Sequence, residues 1–130
     1  MQEEVDVQQV IKVMLVEDHA DFRRLVAALL DREPDLEVVA EAGSLEETHS
    51  HAASVGFDVA VLDMGLPDGN GADLIGALRE ANPDAVILVL SASLDSTNLA
   101  RAKEAGADGI LDKVASSDEI VDTIRRLSGG

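Results

Sequence analysis

The sequence predicts an α/β sandwich in which a parallel five-stranded sheet lies between two layers of helices. Three observations carry this. Short apolar, β-branched runs alternate with amphipathic stretches five times along the chain. The runs are continuous rather than alternating, the mark of strands covered on both faces. Four of them lead into a charged or hydroxyl residue, as expected where strand C-termini line the crevice in which open parallel sheets bind ligands. With right-handed crossovers, the result is a flavodoxin-like (βα)5 fold with strand order 2-1-3-4-5.

Each element can be justified in turn. The first strand is expected at 10–16. The helix after it carries Phe22, Leu25, Val26, Leu29 and Leu30 at i, i+3, i+4, i+7 and i+8, and Glu33-Pro34-Asp35 stops it. A second strand at 36–41 precedes a helix opened by a capping box, Ser44 with Glu47. The third strand, 57–62, runs into Asp63 and a loop, Gly65-Leu66-Pro67-Asp68-Gly69-Asn70-Gly71, that reads as a plain βα turn because it lacks a phosphate-cradle motif. Leu74, Ile75 and Leu78 mark the third helix, ended by Asn82-Pro83-Asp84. The fourth strand spans 85–90. The helix at 96–105 has only Leu99, Ala102 and Ala105 to bury, so it is expected to be the most easily shifted element. A fifth strand at 108–112 leads to a last helix, capped by Ser116 with Glu119 and carrying Ile120, Val121, Ile124 and Leu127. Residues 10–127 thus form one domain, 1–9 a tail, and 128–130 a tail or the start of a linker.

Composition narrows the function. A chain of 130 residues, 46% hydrophobic and 28% charged, can fold around its own core. It has no cysteine, so thiolate metal sites and disulfides are excluded. No stretch approaches the roughly 20 apolar residues of a membrane span, and Met1-Gln2-Glu3-Glu4 does not resemble a signal peptide. A cytoplasmic protein without membrane contact is the expectation. A net charge of −16 repels nucleic acid, and Phe22 and Phe57 are the only aromatic residues, too few for a base-stacking platform.

The strand ends bring chemistry together. Glu17 and Asp18 follow the first strand, Asp63 the third, Ser91 the fourth and Lys113 the fifth. Any one carboxylate there could simply cap a helix. Three converging on one crevice would repel one another unless a cation sits between them, and Mg²⁺ takes such carboxylates together with water and phosphate oxygens. Lys113 supplies a mobile point charge for phosphate and Ser91 a hydroxyl. His19, His49 and His51 read as surface residues, since no pair shares a helix face.

These residues resemble the receiver domain of two-component response regulators over about Val10 to Leu127. The matching motifs are Val-Glu-Asp-His (16–19), Asp-Met-Gly-Leu-Pro-Asp-Gly-Asn-Gly (63–71), Ser-Ala-Ser (91–93) and Gly-Ala-Asp-Gly-Ile-Leu-Asp-Lys (106–113). The 33–42 stretch and the non-proline after Lys113 are most similar to receivers of LuxR-type transcription regulators. The resemblance implies phosphorylation of Asp63 by a sensor histidine kinase or phosphotransfer protein. It implies Mg²⁺ held by Glu17, Asp18, Asp63 and the carbonyl of Gly65, phosphoryl oxygens held by Ser91 and Lys113, and an entry left open by Ala92. The chain would then be a signalling domain rather than an enzyme, promoting its own phosphorylation and dephosphorylation. An output protein or domain would read the switch, with a phosphorylation-dependent homodimer as one form of it. Ile110 stands where the family usually has a switch Tyr or Phe, and is expected to stay buried as a packing partner.

Other classes fit less well. A flavin or nucleotide carrier on this fold needs a phosphate loop after the first strand and aromatic residues around the ring, and Glu17-Asp18-His19-Ala20 supplies neither. A metal-dependent phosphohydrolase needs a second general acid–base, and none is evident. The alternative within the family is an N-terminal fragment of a LuxR-type regulator, with Leu-Ser-Gly-Gly opening a linker to a DNA-binding domain.

Overall fold

The computed structural model describes residues 10–129. The expected tail over 1–9, and Gly130, lie outside them. Strands β1 (Ile11–Val16), β2 (Leu36–Ala42), β3 (Val59–Asp63), β4 (Val86–Ser91) and β5 (Gly109–Asp112) alternate with helices α1 (Ala20–Asp31), α2 (Leu45–Ser54), α3 (Ile75–Ala81), α4 (Ser96–Ala105) and α5 (Ser117–Leu127). All pairs of this five-stranded sheet are parallel, in the order β2-β1-β3-β4-β5. The expected topology is the observed one, with each predicted strand within two residues of its place.

Alternation along the central strands builds two cores. Val13 and Leu15, Val59 and Val61, and Leu88 and Leu90 face one way, onto Val26 and Leu30 of α1 and Ile120, Val121 and Ile124 of α5. Met14 and Val16, Ala60 and Leu62, and Ile87 and Val89 face the other way, onto Leu74, Ile75, Leu78 and Ala102. The edge strands are less covered: Glu37 and Glu41 of β2 are exposed, and every residue of β5 is only half-buried.

Two apolar patterns settle differently from expectation. Val26, Ala27 and Leu30 are buried in α1 and Phe22 and Leu29 half-buried, whereas Leu25 is 56% exposed. The helix therefore meets the sheet along one flank of its stripe. In α4 only Ala102 is fully buried, and Leu99 is exposed. A lone buried methyl group anchors far less than the roughly 1.5–3 kcal/mol of a buried leucine.

The caps form as the sequence signals, with one substitution of partner. Ser44 Oγ accepts from the Glu47 N–H and Ser116 Oγ from the Glu119 N–H. The Glu47 carboxylate reaches back to the N–H of Gly43 rather than of Ser44. Asp68, in the loop after β3, accepts from the N–H groups of Leu45 and Glu46 and so also caps α2. The Leu45 N–H holds the Asp68 carboxyl below its ordinary value, against the opposing effect of burial.

A charged clamp closes the opposite end of the sheet. Arg125 donates from Nε and Nη2 to the two carboxylate oxygens of Asp35, at 2.8 and 2.7 Å, and from Nη2 to Glu33 at 2.8 Å. It ties the end of α5 to the turn before β2. The Arg125 hydrogen bond lowers the Asp35 pKa, burial opposing. A carboxyl lowered in the folded state stabilises above its unfolded value of about 3.9, and that stabilisation is lost as pH falls through the folded value. Arg125→Gln is therefore expected to lower stability by about 0.5–1 kcal/mol at pH 7. The difference from wild type should close below about pH 4, as read by urea denaturation across pH.

Candidate functional site

Sheet register assembles the site. Val16 pairs with Leu62, so Glu17 and Asp63 come next on adjacent strands; Asp63 pairs with Leu90, and Ser91 with Asp112. Glu17 and Asp63 thus share a row, Ser91 lies one row further and Lys113 two. All five predicted side chains, Asp18 included, reach the same end of the sheet. The mouth is an open pocket of about 400 Å³ bordered by Asp18, Asp63, Gly65, Ser91, Ala92 and Lys113.

Lys113 organises the interior. Its Nζ is 3.0 Å from Asp63 Oδ2 and 2.8 Å from Glu17 Oε1. Both carboxylates are buried, Glu17 2% exposed and Asp63 6%. Burial alone would push the Lys113 ammonium down, but contact with Glu17 and Asp63 outweighs it and leaves its pKa above the ordinary value. Lys113 is therefore charged at neutral pH. One ammonium thus faces two buried carboxylates. Glu17 Oε1, buried away from water, has the Lys113 ammonium as its partner at 2.8 Å. Lys113 Nζ also lies 5.4 Å from the centre of the Phe22 ring, on the first turn of α1.

The carboxylates divide into two groups. Glu17, Asp18 and His19 have donor atoms within 4.8 Å of one another; Asp63 is not among them, being drawn to Lys113. His19, on the surface as expected, nonetheless joins the acidic pair: its N–H donates to Glu17 Oε2 at 2.9 Å and its Nδ1 lies 3.3 Å from the same oxygen. Arg23 donates to the Glu17 carbonyl and fixes the end of β1 from α1.

Ser91 is at the rim, but its hydroxyl is engaged. Buried at 3% exposure, its Oγ donates to the Ser93 carbonyl at 2.6 Å. That carbonyl also accepts from Asn98 Nδ2 at 3.0 Å. The Ser93 hydroxyl donates to Asp95, which caps α4 by accepting from the Asn98 N–H. That N–H, with Ser93, holds the Asp95 carboxyl below its ordinary value. The hydroxyl expected to sense phosphate is thus wired to the first turn of α4. Ala92 is exposed, and Ile110 is half-buried against the core rather than fully buried.

The loop after Asp63 is more than a plain turn. Gly65–Leu66 and Gly69–Asn70 pair as a short antiparallel hairpin. The Asn70 side chain accepts from the Ala72 N–H, and Gly71 N–H donates to Met64 O at 2.8 Å. A Cβ built on Gly71 would stand 2.1 Å from the Asp63 carbonyl oxygen. Sequence reasoning missed Ser93, Asn98 and His19 as site neighbours. Only His19 carried a signal, its place directly after Glu17-Asp18.

Comparison with known proteins follows from this geometry. The family model described as response regulator receiver domain matches residues 13–125. The chain is 38% identical over 120 residues to the "DNA-binding transcriptional activator DevR/DosR" of Mycobacterium tuberculosis, covering 92% of this chain and 55% of that protein. It spans a little over half the length of the curated relatives it matches. A LuxR-family two-component response regulator from Aurantimonas superposes with a TM-score of 0.85 at 30% identity, over 93% of this chain and 86% of that one. A Burkholderia pseudomallei response regulator, solved with a phosphorylated aspartic acid, calcium ion and citrate, superposes at 0.79 with 25% identity, over 92% and 73%. Among the described residues, no helix is long and apolar enough to cross a membrane.

The close approach at Gly71 sets a test. Gly71→Ala is expected to cost about 1–3 kcal/mol, because the loop must move off the Asp63 carbonyl. Gly65→Ala meets nothing within 4 Å and should change stability much less. Urea unfolding of both variants provides the comparison.

Proposed function

Since the chain belongs to the response regulator receiver family, related to the receivers of LuxR-type regulators, we propose that it is a phosphorelay switch in which Asp63 accepts a phosphoryl group. The observation that carries this reading is the pairing of a buried Asp63 with Lys113 at 3.0 Å, at the base of an open pocket. An Asp63 carboxylate oxygen attacks phosphorus, and the P–N bond to a phosphohistidine breaks. The imidazole leaves and takes up a proton. Lys113 stays charged and moves its contact from Asp63 Oδ2 to the phosphoryl oxygens, so catalysis is positioning and electrostatics. The phosphorylated aspartic acid of the Burkholderia pseudomallei regulator supports the chemistry.

Receiver domains bind Mg²⁺ at an acidic pocket, and this chain has an acidic cluster there. The fit is good in kind: the carboxylates of Glu17, Asp18 and Asp63 and the Gly65 carbonyl are hard oxygen donors, and Asp18, Asp63 and Gly65 border the open pocket. When bound, the ion would neutralise charge on the incoming phosphoryl group. The partner on the input side is a sensor histidine kinase or phosphotransfer protein. On the output side we favour a DNA-binding domain outside the matched region, because DevR/DosR is named a DNA-binding activator and this chain matches just over half of it. Against binding of nucleic acid by this chain stands its own charge of −16.

The switch runs through Ser91. To reach a phosphoryl oxygen its hydroxyl must leave the Ser93 carbonyl, which frees the Ser93–Asp95–Asn98 network at the start of a helix with one buried alanine. Ile110 gains nothing from exposure and remains a packing partner.

Two measurements test this. Acetyl phosphate with magnesium should add one phosphoryl mass to the wild type and none to Asp63→Asn; labelling that persists in the variant would place the acceptor elsewhere. Beryllofluoride should change hydrogen exchange more in residues 91–105 than in 109–112, and Ser91→Ala should erase most of that difference. A response strongest in β5 would mean that the signal leaves by another route.

A further inference from the structure

We propose that Asp68 is a positioning residue for magnesium: from the tip of the hairpin after β3 it ties the loop carrying the Gly65 carbonyl to the first turn of α2. In the proposed function, on which this role rests, that carbonyl joins Glu17, Asp18 and Asp63 in holding the ion. Gly65–Leu66 and Gly69–Asn70 pair over only two residues a side, and so short a hairpin is marginal by itself. Its base is held, since Leu66 is buried and the Gly71 N–H donates to the Met64 carbonyl. At its tip Asp68 Oδ1 accepts from the Leu45 N–H at 2.8 Å, and Oδ2 from the Glu46 N–H at 3.2 Å. A Cβ built on Gly69 would stand 2.5 Å from Leu45 Cδ1, so the hairpin lies directly against that side chain.

The helix has a cap of its own. Ser44 accepts from the Glu47 N–H, and Glu47 reaches back to Gly43. What Asp68 adds is a link between segments 23 and 22 residues apart in sequence. That link leads to the other half of the acidic cluster. Val16 pairs with Ala42, and the Glu17 N–H donates to the Ala42 carbonyl at 2.9 Å. Arg23 donates to the Glu17 carbonyl and to Glu41. The segment from Ala42 to Leu45 is thus fixed to Glu17 at one end and, through Asp68, to the Gly65 loop at the other.

An unbroken path of backbone and hydrogen bonds therefore sets the Glu17–Asp18 side of the pocket against the Asp63–Gly65 side. Packing of α2 contributes little to this, because Thr48 is its one fully buried residue and Leu45 and Ala52 are half-buried. Mg²⁺ demands near-octahedral geometry, so a carbonyl on an untethered loop must be ordered at the moment of binding. Losing the tether lowers affinity for the ion without removing a ligand.

Magnesium chloride titrated calorimetrically into the whole chain separates this role from that of a helix cap alone. Asp68→Ala should weaken magnesium about threefold to tenfold, the worth of a lost capping hydrogen bond. Ser44→Ala, which removes a cap that does not touch the hairpin, should leave magnesium within about twofold. Asp68→Asn keeps an oxygen for the Leu45 N–H and should recover most of the affinity. Without metal, exchange of the Gly71 amide proton should speed up in Asp68→Ala and not in Ser44→Ala. With acetyl phosphate, Asp68→Ala should need more magnesium for half-maximal phosphorylation yet reach the wild-type rate at saturation. The role is overturned if Asp68→Ala binds magnesium as the wild type does, or if Ser44→Ala weakens it equally. It is also overturned if Asp68→Asn loses as much as Asp68→Ala, because charge alone would then explain the loss. A wild type that neither binds magnesium nor is phosphorylated overturns the proposed function and this role with it, whereas equal affinities with phosphorylation intact overturn this role alone.

Discussion

One ammonium between two buried carboxylates holds the working end of this fold together. Lys113 reaches Glu17 and Asp63 at the same time; Glu17 follows β1 and Asp63 ends β3, while Lys113 follows β5. The contact therefore ties the middle of the sheet to one edge. Removing either kind of partner would leave charge stranded away from water, a cost of about 3–5 kcal/mol for a broken buried pair. Glu17 is also held through its carbonyl by Arg23 and through Oε2 by the His19 N–H. Lys113 and the His19 N–H thus hold the Glu17 carboxylate while Arg23 holds its backbone.

That arrangement creates a competition built into the charge count. Under the proposed function, a phosphoryl group on Asp63 would draw the ammonium towards itself, and Glu17 would lose part of its compensation. A hard cation on the acidic cluster would restore the balance. The Phe22 ring of α1 lies beside Nζ.

The architecture was legible because it rests on periodicity. Continuous apolar runs, proline stops and capping serines place every strand and helix, and strand polarity alone brings Glu17, Asp18, Asp63, Ser91 and Lys113 to one crevice. Orientation at finer scale was not legible. A heptad-like stripe says which residues of α1 are apolar but not how the helix tilts on the sheet, so Leu25 ended outside and Ala27 inside. Leu99 was misplaced for the same reason. That Lys113 meets Glu17 and Asp63 together was hidden, because strand order brings a lysine to the crevice without saying which side chains it reaches. Ser91's engagement with Ser93 depends on a loop conformation that no local pattern encodes. The need for glycine at position 71 arises from contact with Asp63, eight residues back, and only the folded hairpin creates it.

The fastening of α4 is lopsided. At its far end Ala102 is wholly buried, and Gly106 takes a left-handed turn with φ of 101°. There Arg79 clamps the Gly106 carbonyl, the Asp108 carboxylate and the Ala85 carbonyl together. At its near end there are only the Ser93, Asp95 and Asn98 hydrogen bonds, all exposed or half-buried. A tilt of the helix would therefore pivot near Arg79. Its ten residues measure about 15 Å at 1.5 Å per residue. A tilt of roughly 10° would carry Ser96 about 2–3 Å sideways over that length while Ala105 hardly moves. Movement made at the pocket would emerge as displacement of Leu94, Ser96 and Leu99 and die out before β5. A partner reading this helix would then gain most by gripping its first turn.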